Sequence, residues 1–481
     1  MKNRKSSTKQ QNGRISRRDF VRGAAVAAAF TIVPRHVLGG PGHTPPSEKL
    51  NVAGVGIGGM GKNDILEIAG LELTEDGKVA PKEQPGENIV ALCDVDDEFA
   101  AGVYEIFPKA KKYRDFRRML EKQKDIDAVV IATPDHTHAV IAMAAMQLGK
   151  HVYVQKPLTH SIYEARMLTE AARKYKVATQ MGNQGHSGEG ARLVCEWIWD
   201  GAIGRVREVH AWTNRPIWPQ GIDRPKDTPR VPKKLDWNLW LGPAPRRPYH
   251  PLYHPRLWRG WCDFGTGALG DMACHVLDAA FWALKLENPT SVEACVSHYA
   301  RMVEGKTWGQ IDEVIDSYPR ASIVRYEFAL RGDMGPIKLT WYDGGLKPAR
   351  PDELEPGRPL EQSKSSVLII GDKGIVRYGE YGDSPRIIPE TKMKAYELPP
   401  KTIPRIKGSH EQNWVEACKG GEPACSNFDY SGPFTEMVLL GNIALRYPGQ
   451  RIEWDGQNMK VTNLPEANEY VRRHYREGWT L

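Results

Sequence analysis

No two of the chain's seven cysteines are spaced C-x-x-C. An odd number scattered over positions 93, 195, 262, 274, 295, 418 and 425 builds neither a zinc ribbon nor a disulfide framework. Cys418 and Cys425 are near enough in sequence to pair, but read better as two small buried thiols. A basic excess is also missing from the body. Lys and Arg number 66 against 59 acids, yet residues 1–41 hold nine bases and one acid, leaving 57 against 58. No phosphate-neutralising surplus remains, which removes the electrostatic case for nucleic acid. No apolar run reaches the roughly 20 residues of a membrane span, and neither repeats nor low-complexity segments follow the first 41 residues. What is present is ordinary globular composition: 481 residues, 41% hydrophobic and 26% charged, enough for two domains and a well-buried core.

The N-terminal imbalance has a reason. A basic, polar stretch leads to Ser16-Arg17-Arg18-Asp19-Phe20, then a short apolar run over 23–33 and the loop-like Gly39-Gly40-Pro41. Paired arginines before a short core of small residues read as a twin-arginine export signal, cleaved near residue 40 or retained as an anchor. The export machinery is then a partner, and the periplasm the expected location.

From residue 48 short apolar runs alternate with amphipathic stretches, the rhythm of a parallel sheet covered by helices. Strands are expected over 50–55, 88–93, 128–133, 151–155 and 177–182, with helices over 139–148 and 162–175. The polar segment 74–87 reads as an insertion before the second of these strands. Residues 185–265, rich in Trp, Pro and Arg, read as substrate-domain loops. Runs over 321–328, 337–342 and 366–370 suggest an antiparallel or mixed sheet, and helices are expected near 410–418 and 434–447. The division is a signal over 1–41, a nucleotide domain over 48–184 and a second domain over 185–481.

The first strand runs into Gly54-Val55-Gly56-Ile57-Gly58-Gly59-Met60-Gly61. Read as G-x-G-x-x-G, the glycines are Gly56, Gly58 and Gly61; Gly54-Gly56-Gly59 is an overlapping register. Such a turn lets a pyrophosphate approach the backbone at a helix N-terminus. Asp94 ends the next strand and suits the adenosine ribose hydroxyls, favouring NAD over NADP. It lies 33 residues beyond Gly61, further than the usual ~20, an excess the 74–87 insertion explains.

Three further segments complete a pattern: Ala132-Thr133-Pro134-Asp135-His136-Thr137-His138, His151-Val152-Tyr153-Val154-Gln155-Lys156-Pro157, and Gly270-Asp271-Met272-Ala273-Cys274-His275. With the glycine turn, they resemble the glucose–fructose oxidoreductase/inositol dehydrogenase/rhizopine-catabolism (Gfo/Idh/MocA) family over about residues 49–455. The resemblance implies an N-terminal Rossmann doubly wound sheet, a C-terminal α/β domain on a large open sheet, NAD as cofactor, and a homo-oligomer, dimer or tetramer. It implies Lys156 beside the nicotinamide, where an ammonium stabilises a developing alkoxide. Gln155 stands where the family usually has Glu, so Lys156 lacks its usual neighbouring carboxylate. Asp271 and His275 match the family's Asp-x-x-x-His pair, which a helix would put on one face. The expected roles are His275 as general base or acid, with Asp271 orienting it and supporting its charge. A metal reading of that pair fails for want of a third ligand. Gly56, Gly58, Gly59, Met60, Gly61, Asp94, Thr133, Pro134 and Lys156 are the nucleotide-binding candidates. His138 either joins them at the nicotinamide ribose or simply packs the helix that follows. Asn183 and Gln184 could reach the substrate mouth.

Between residues 197 and 261 lie eight of the 14 tryptophans, namely Trp197, Trp199, Trp212, Trp218, Trp237, Trp240, Trp258 and Trp261, interspersed with Asn214, Arg215, Arg256 and Arg259. Indole faces suit the C–H faces of sugar rings and arginines the hydroxyls, with one or two of these tryptophans expected at the substrate and the rest in the core. The expected activity is NAD(H)-dependent oxidoreduction at a CH–OH group of a sugar, glycoside or cyclitol, with the nucleotide held tightly because an exported enzyme meets little free NAD. The alternatives are NAD-dependent glycoside cleavage through a transient 3-keto sugar and a non-catalytic sugar-binding protein on the same fold.

Overall fold

The computed structural model describes residues 48–302, 307, 309–312, 316–332 and 334–481; the leader with its paired arginines lies outside them. The early apolar runs become β1 (Asn51–Val55), β4 (Asn88–Cys93), β5 (Lys111–Tyr113), β6 (Ala128–Ile131), β7 (His151–Val154) and β8 (Thr179–Met181). They form a six-stranded, all-parallel sheet in the order β5-β4-β1-β6-β7-β8. Helices α1 (Met60–Ile68), α2 (Asp135–Gln147) and α3 (Ile162–Tyr175) run between its strands. Strands buried on both faces lose alternation, and β6 is buried at all four positions. The expected insertion over 74–87 supplies β3 (Val79–Pro81), which pairs as a hairpin with β2 (Leu71–Leu73) just before it. Strand order reverses between β1 and β6, so the crevice beyond their carboxyl ends is the place where such sheets bind ligands.

The second sheet is larger. It contains β9 (Val206–Thr213), β10 (Ser291–Val296), β13 (Ser322–Phe328), β14 (Ile337–Tyr342), β15 (Ser365–Gly371), β16 (Ile375–Gly379), β17 (Arg386–Ile388), β18 (Ile452–Asp455) and β19 (Lys460–Val461), with β11 (Tyr299–Met302) and β12 (Gly309–Asp312) as a separate hairpin. Its order is β17-β16-β15-β9-β14-β13-β10-β18-β19. β9 runs parallel to β14 and antiparallel to β15, which makes the sheet mixed. Helices α4 (Glu189–Trp199), α5 (Gly267–Val276), α6 (Asp278–Ala283) and α8 (Phe428–Ala444) share one apolar core with this sheet. Helix α7 (His410–Cys418) returns to the first sheet, burying Trp414 and Val415 against Val52, Leu92 and Tyr153. The architecture is thus a Rossmann sheet joined to an α/β layer on a large mixed sheet. Central β9 falls inside the segment read from sequence as loops.

Candidate active site

The turn between β1 and α1 settles which glycines matter. Gly56 has φ +78°, and a Cβ there would sit 2.6 Å from the Thr133 amide nitrogen. A Cβ on Gly58 would strike the Phe99 ring, and one on Gly61 the Gly56 carbonyl, whereas Gly59 has room to spare. The register is therefore Gly56, Gly58 and Gly61. Asp94 locks this turn: one carboxylate oxygen accepts from the amides of Ile57 (2.9 Å) and Gly58 (3.2 Å), the other from Asp96 N (3.0 Å). Burial pushes the Asp94 carboxyl up to about 6, against the lowering effect of those three bonds.

A cleft of about 980 Å³ opens at the switch point, lined by Gly56, Gly58, Gly59, Met60, Asp94, Thr133, Pro134, Lys156, Asp271 and His275 together. Side chains at Gly56 and Gly58 would intrude on the turn or its packing, and an acid stands at its rim, so the residues present fit a dinucleotide. Met60, Gly61 and the start of α1 supply the helix N-terminus.

Lys156 stands two residues beyond β7 and spends two of its three N–H donors on Asp271, at 2.7 Å to Oδ1 and 2.8 Å to the backbone oxygen. Arg259 Nε donates to the same Oδ1 at 3.0 Å while its guanidinium lies 4.4 Å from the centre of the Trp258 ring. Burial raises the Asp271 carboxyl, but the two cations outweigh it and hold it well below the usual carboxylate range. Asp271 therefore orients Lys156 and Arg259; contrary to the expectation that it orients His275, no hydrogen bond joins the two side chains among the described residues. A full positive charge attracts the carboxylate more strongly than a neutral imidazole one turn away.

His275 is itself buried, and its Nδ1 has no partner. Burial, with the Lys156 ammonium nearby, pushes the imidazole down to about 3, so it is neutral near neutral pH, with a free ring lone pair that is less basic than an exposed histidine's. Gln155 donates to both Asp64 oxygens at 3.0 Å. The carboxylate missing at position 155 is supplied instead by Asp271.

Two candidates fall away. His138 is 1% exposed, with Nδ1 2.9 Å from Pro157 O and Nε2 2.8 Å from Thr133 O, so both nitrogens face backbone carbonyls and the ring does not line the cleft. Asn183 is buried, donating to Asp278 (2.9 Å) and accepting from Ser426 Oγ (2.6 Å). Gln184 does line the cleft. Of the eight tryptophans, Trp218, Trp240 and Trp258 reach it, while Trp237, Trp240, Trp258 and Trp261 build an aromatic core with Tyr253 and Phe264. The sequence reading assigned no role to Asp135, Glu380 or Tyr381, all of which line the cleft. Asp135, the residue after Pro134, accepts from Thr266 Oγ1 at 2.7 Å, and burial pushes it up to about 7.

Residues 50–183 match the family model described as "Oxidoreductase family, NAD-binding Rossmann fold" and residues 206–315 its "C-terminal alpha/beta domain" partner, together just over half of the chain. Levoglucosan dehydrogenase of Pseudarthrobacter phenanthrenivorans is 28% identical over 48% of this chain and 50% of its own length. A glycosyl hydrolase family 109 protein of Shewanella pealeana is 23% identical over 40% and 44%. The chain thus spans about half the length of the curated relatives it matches. The WlbA dehydrogenase of Bordetella pertussis, solved with NADH and UDP-GlcNAcA, superposes with a TM-score of 0.56 at 20% identity, over 85% of this chain and 99% of that one. Glycine turn, Lys-Pro strand end, buried Asp-x-x-x-His helix and both domain matches together make this chain a member of the Gfo/Idh/MocA family of oxidoreductases, with an NAD-binding Rossmann fold.

Proposed function

We propose that the chain oxidises, or in reverse reduces, a CH–OH carbon of a sugar, glycoside or cyclitol with NAD(H) held in the cleft. The observation that carries this is the Lys156–Asp271 pair beside a neutral His275, in the same cleft as the glycine turn. When bound, the nicotinamide supplies the hydride acceptor or donor. Lys156, with one N–H not spent on Asp271, donates to the substrate oxygen and stabilises the charge that develops there. His275 takes the hydroxyl proton onto its ring, or returns one in reduction. Asp271 fixes the ammonium for that task. Residues 48–184 hold the nucleotide and 185–481 complete the substrate side.

The nucleotide is retained between turnovers. Supporting this, residues 234–254 are laced to the adenosine side of the parallel sheet. Asp236 N donates to Val95 O at 2.8 Å, Asp97 N to Lys234 O at 3.2 Å, and His254 Nε2 lies 2.7 Å from Asp96 Oδ2. Retention suits export through the twin-arginine route to the periplasm, with the cofactor returned to its starting redox state by a second substrate, and a dimer or tetramer as the working form.

Denaturing the purified protein should release about one NAD(H) per chain, and incubation with a panel of sugars and polyols should yield a product short of one hydrogen molecule. Absence of both results defeats the proposal. Free reducing sugar released from a glycoside, with no net nicotinamide change, would move the reading to cleavage through a 3-keto sugar.

A further inference from the structure

We infer that the turn after β16, residues 379–383, is the subsite that recognises the sugar ring, with Tyr381 as its platform and Glu380, together with Arg215, as its reader of neighbouring hydroxyls. The inference rests on the oxidoreductase reading and names the substrate-selecting residues of that cleft.

Tyr381 keeps 42% of its surface exposed although it lies in the cleft, and its ring meets His275 edge to face at a centroid distance of 4.9 Å. An open aromatic face beside the imidazole that handles the proton is where an apolar C–H face would lie for its adjacent hydroxyl to reach that imidazole. Burial, with Glu380 next to it, pushes the phenol up to about 12, so the hydroxyl keeps its proton and remains a donor.

The turn is rigid. Gly382 N donates to Gly379 O at 3.1 Å and Gly379 N to Asp383 O at 2.9 Å. A Cβ on Gly190, in the first turn of α4, would collide with the Gly382 carbonyl, so a glycine there lets the turn dock. Glu380 is held as well: Ser365 Oγ donates to its Oε2 at 2.9 Å, and Ser365 lies 3.0 Å from Thr213 Oγ1 at the end of β9. The same Thr213 oxygen accepts from Arg215 N at 3.3 Å, and the Arg215 guanidinium is steadied by Asn214 Oδ1 at 2.6 Å. One strand end thus aligns a carboxylate and a guanidinium at the cleft wall. A carboxylate accepts from two vicinal hydroxyls and a guanidinium donates to their oxygens. The ligand that fits is a neutral ring bearing vicinal hydroxyls beside the oxidised carbon, a pyranose or a cyclitol.

The test uses nucleotide-loaded full-length protein with D-glucose and myo-inositol as probes, 2-deoxyglucose and 3-deoxyglucose as truncated analogues of the first, and a monodeoxy-inositol as that of the second. Binding is read by calorimetry, separately from turnover. Glu380→Gln should weaken binding of the better probe about tenfold and shrink its preference over a deoxy analogue. Nucleotide content should stay near wild type. Tyr381→Ala should raise KM and lower kcat together, and Tyr381→Phe, which keeps the ring, should restore most of the loss. Probe affinity unchanged in both Glu380→Gln and Tyr381→Ala overturns the subsite, as does failure of the wild-type protein to bind any probe. Sugar bound in a Glu380-dependent way but never oxidised leaves the subsite standing and removes the hydride reading instead.

Discussion

Asp271 serves two cations, and that makes it the residue whose loss should cost most. Its side chain is 12% exposed and those of Lys156 and Arg259 are 14% and 31%. Lys156→Met removes one partner but leaves Asp271 paired with Arg259. Asp271→Asn leaves both positive groups facing each other in a half-closed site, where breaking a buried pair costs about 3–5 kcal/mol. Thermal melts should therefore show a larger drop for Asp271→Asn than for Lys156→Met. Turnover should fall roughly 10²–10³-fold in Lys156→Met, as for loss of a donor to a developing oxyanion, with nucleotide still bound. Equal melting losses would mean that Asp271 does not hold the two cations as a unit. The sequence put Asp271 next to His275 because a spacing of four does so on any helix. Nothing local revealed that Lys156, 115 residues away in the chain, would claim the carboxylate.

At the scale of elements, α2 sets a helix N-terminus against burial. Asp135 stands in its first turn, where the dipole favours a charged carboxylate. Its pKa is nevertheless raised to about 7, because it is 3% exposed and burial dominates. A raised carboxyl favours folding in its protonated form, so that contribution is complete below the unfolded pKa and is lost as pH rises through about 7. Asp135→Asn carries no such penalty. Its melting temperature relative to wild type should rise between about pH 5 and pH 8, and a difference flat across that range would contradict the burial argument. Elements with a single clear period were legible from sequence: β1, β4, β14, α3 and α7 fall close to their expected bounds. β9 was not, because the Trp-, Pro- and Arg-rich composition around it masked the short alternation of Glu208 and His210 with buried Val209 and Ala211, and because its pairing with β14 and β15 comes from 120 and more residues downstream. The turn carrying Glu380 and Tyr381 was invisible for a similar reason. A Gly-Glu-Tyr-Gly stretch has no signature, and only the docking of β16 beside the cleft gives it a role.

Over the whole molecule, residues 472–481 act as a tie between parts that the sheets leave separate. Arg473 forms an ion pair with Glu164 at 3.2 Å and donates from its guanidinium to His136 O at 2.9 Å, while Tyr475 OH donates to Glu164 at 2.7 Å. Arg476 grips Asn238 and the Gly242 carbonyl in the Trp-rich segment. Trp479 reaches the wall of the cleft, with the Arg117 guanidinium 4.6 Å from its ring. These few residues thus join α3, the start of α2, the segment behind the aromatic core and the adenosine side of the cleft. Removing residues 472–481 would strip Glu164, 1% exposed, of its cation and phenol while its capping bonds to the His160 and Ser161 amides remain. The cost should be several kcal/mol, about that of an orphaned buried charge, and the adenosine end of the cleft would lose a wall. The truncated chain should melt lower and, held below that transition, exchange its nucleotide at least about tenfold faster than the full chain, since most changes in affinity appear in the off-rate. If exchange is unchanged while stability falls, the tail braces the fold without guarding the cofactor, and retention depends on the contacts of residues 234–254 with Val95, Asp96 and Asp97 instead.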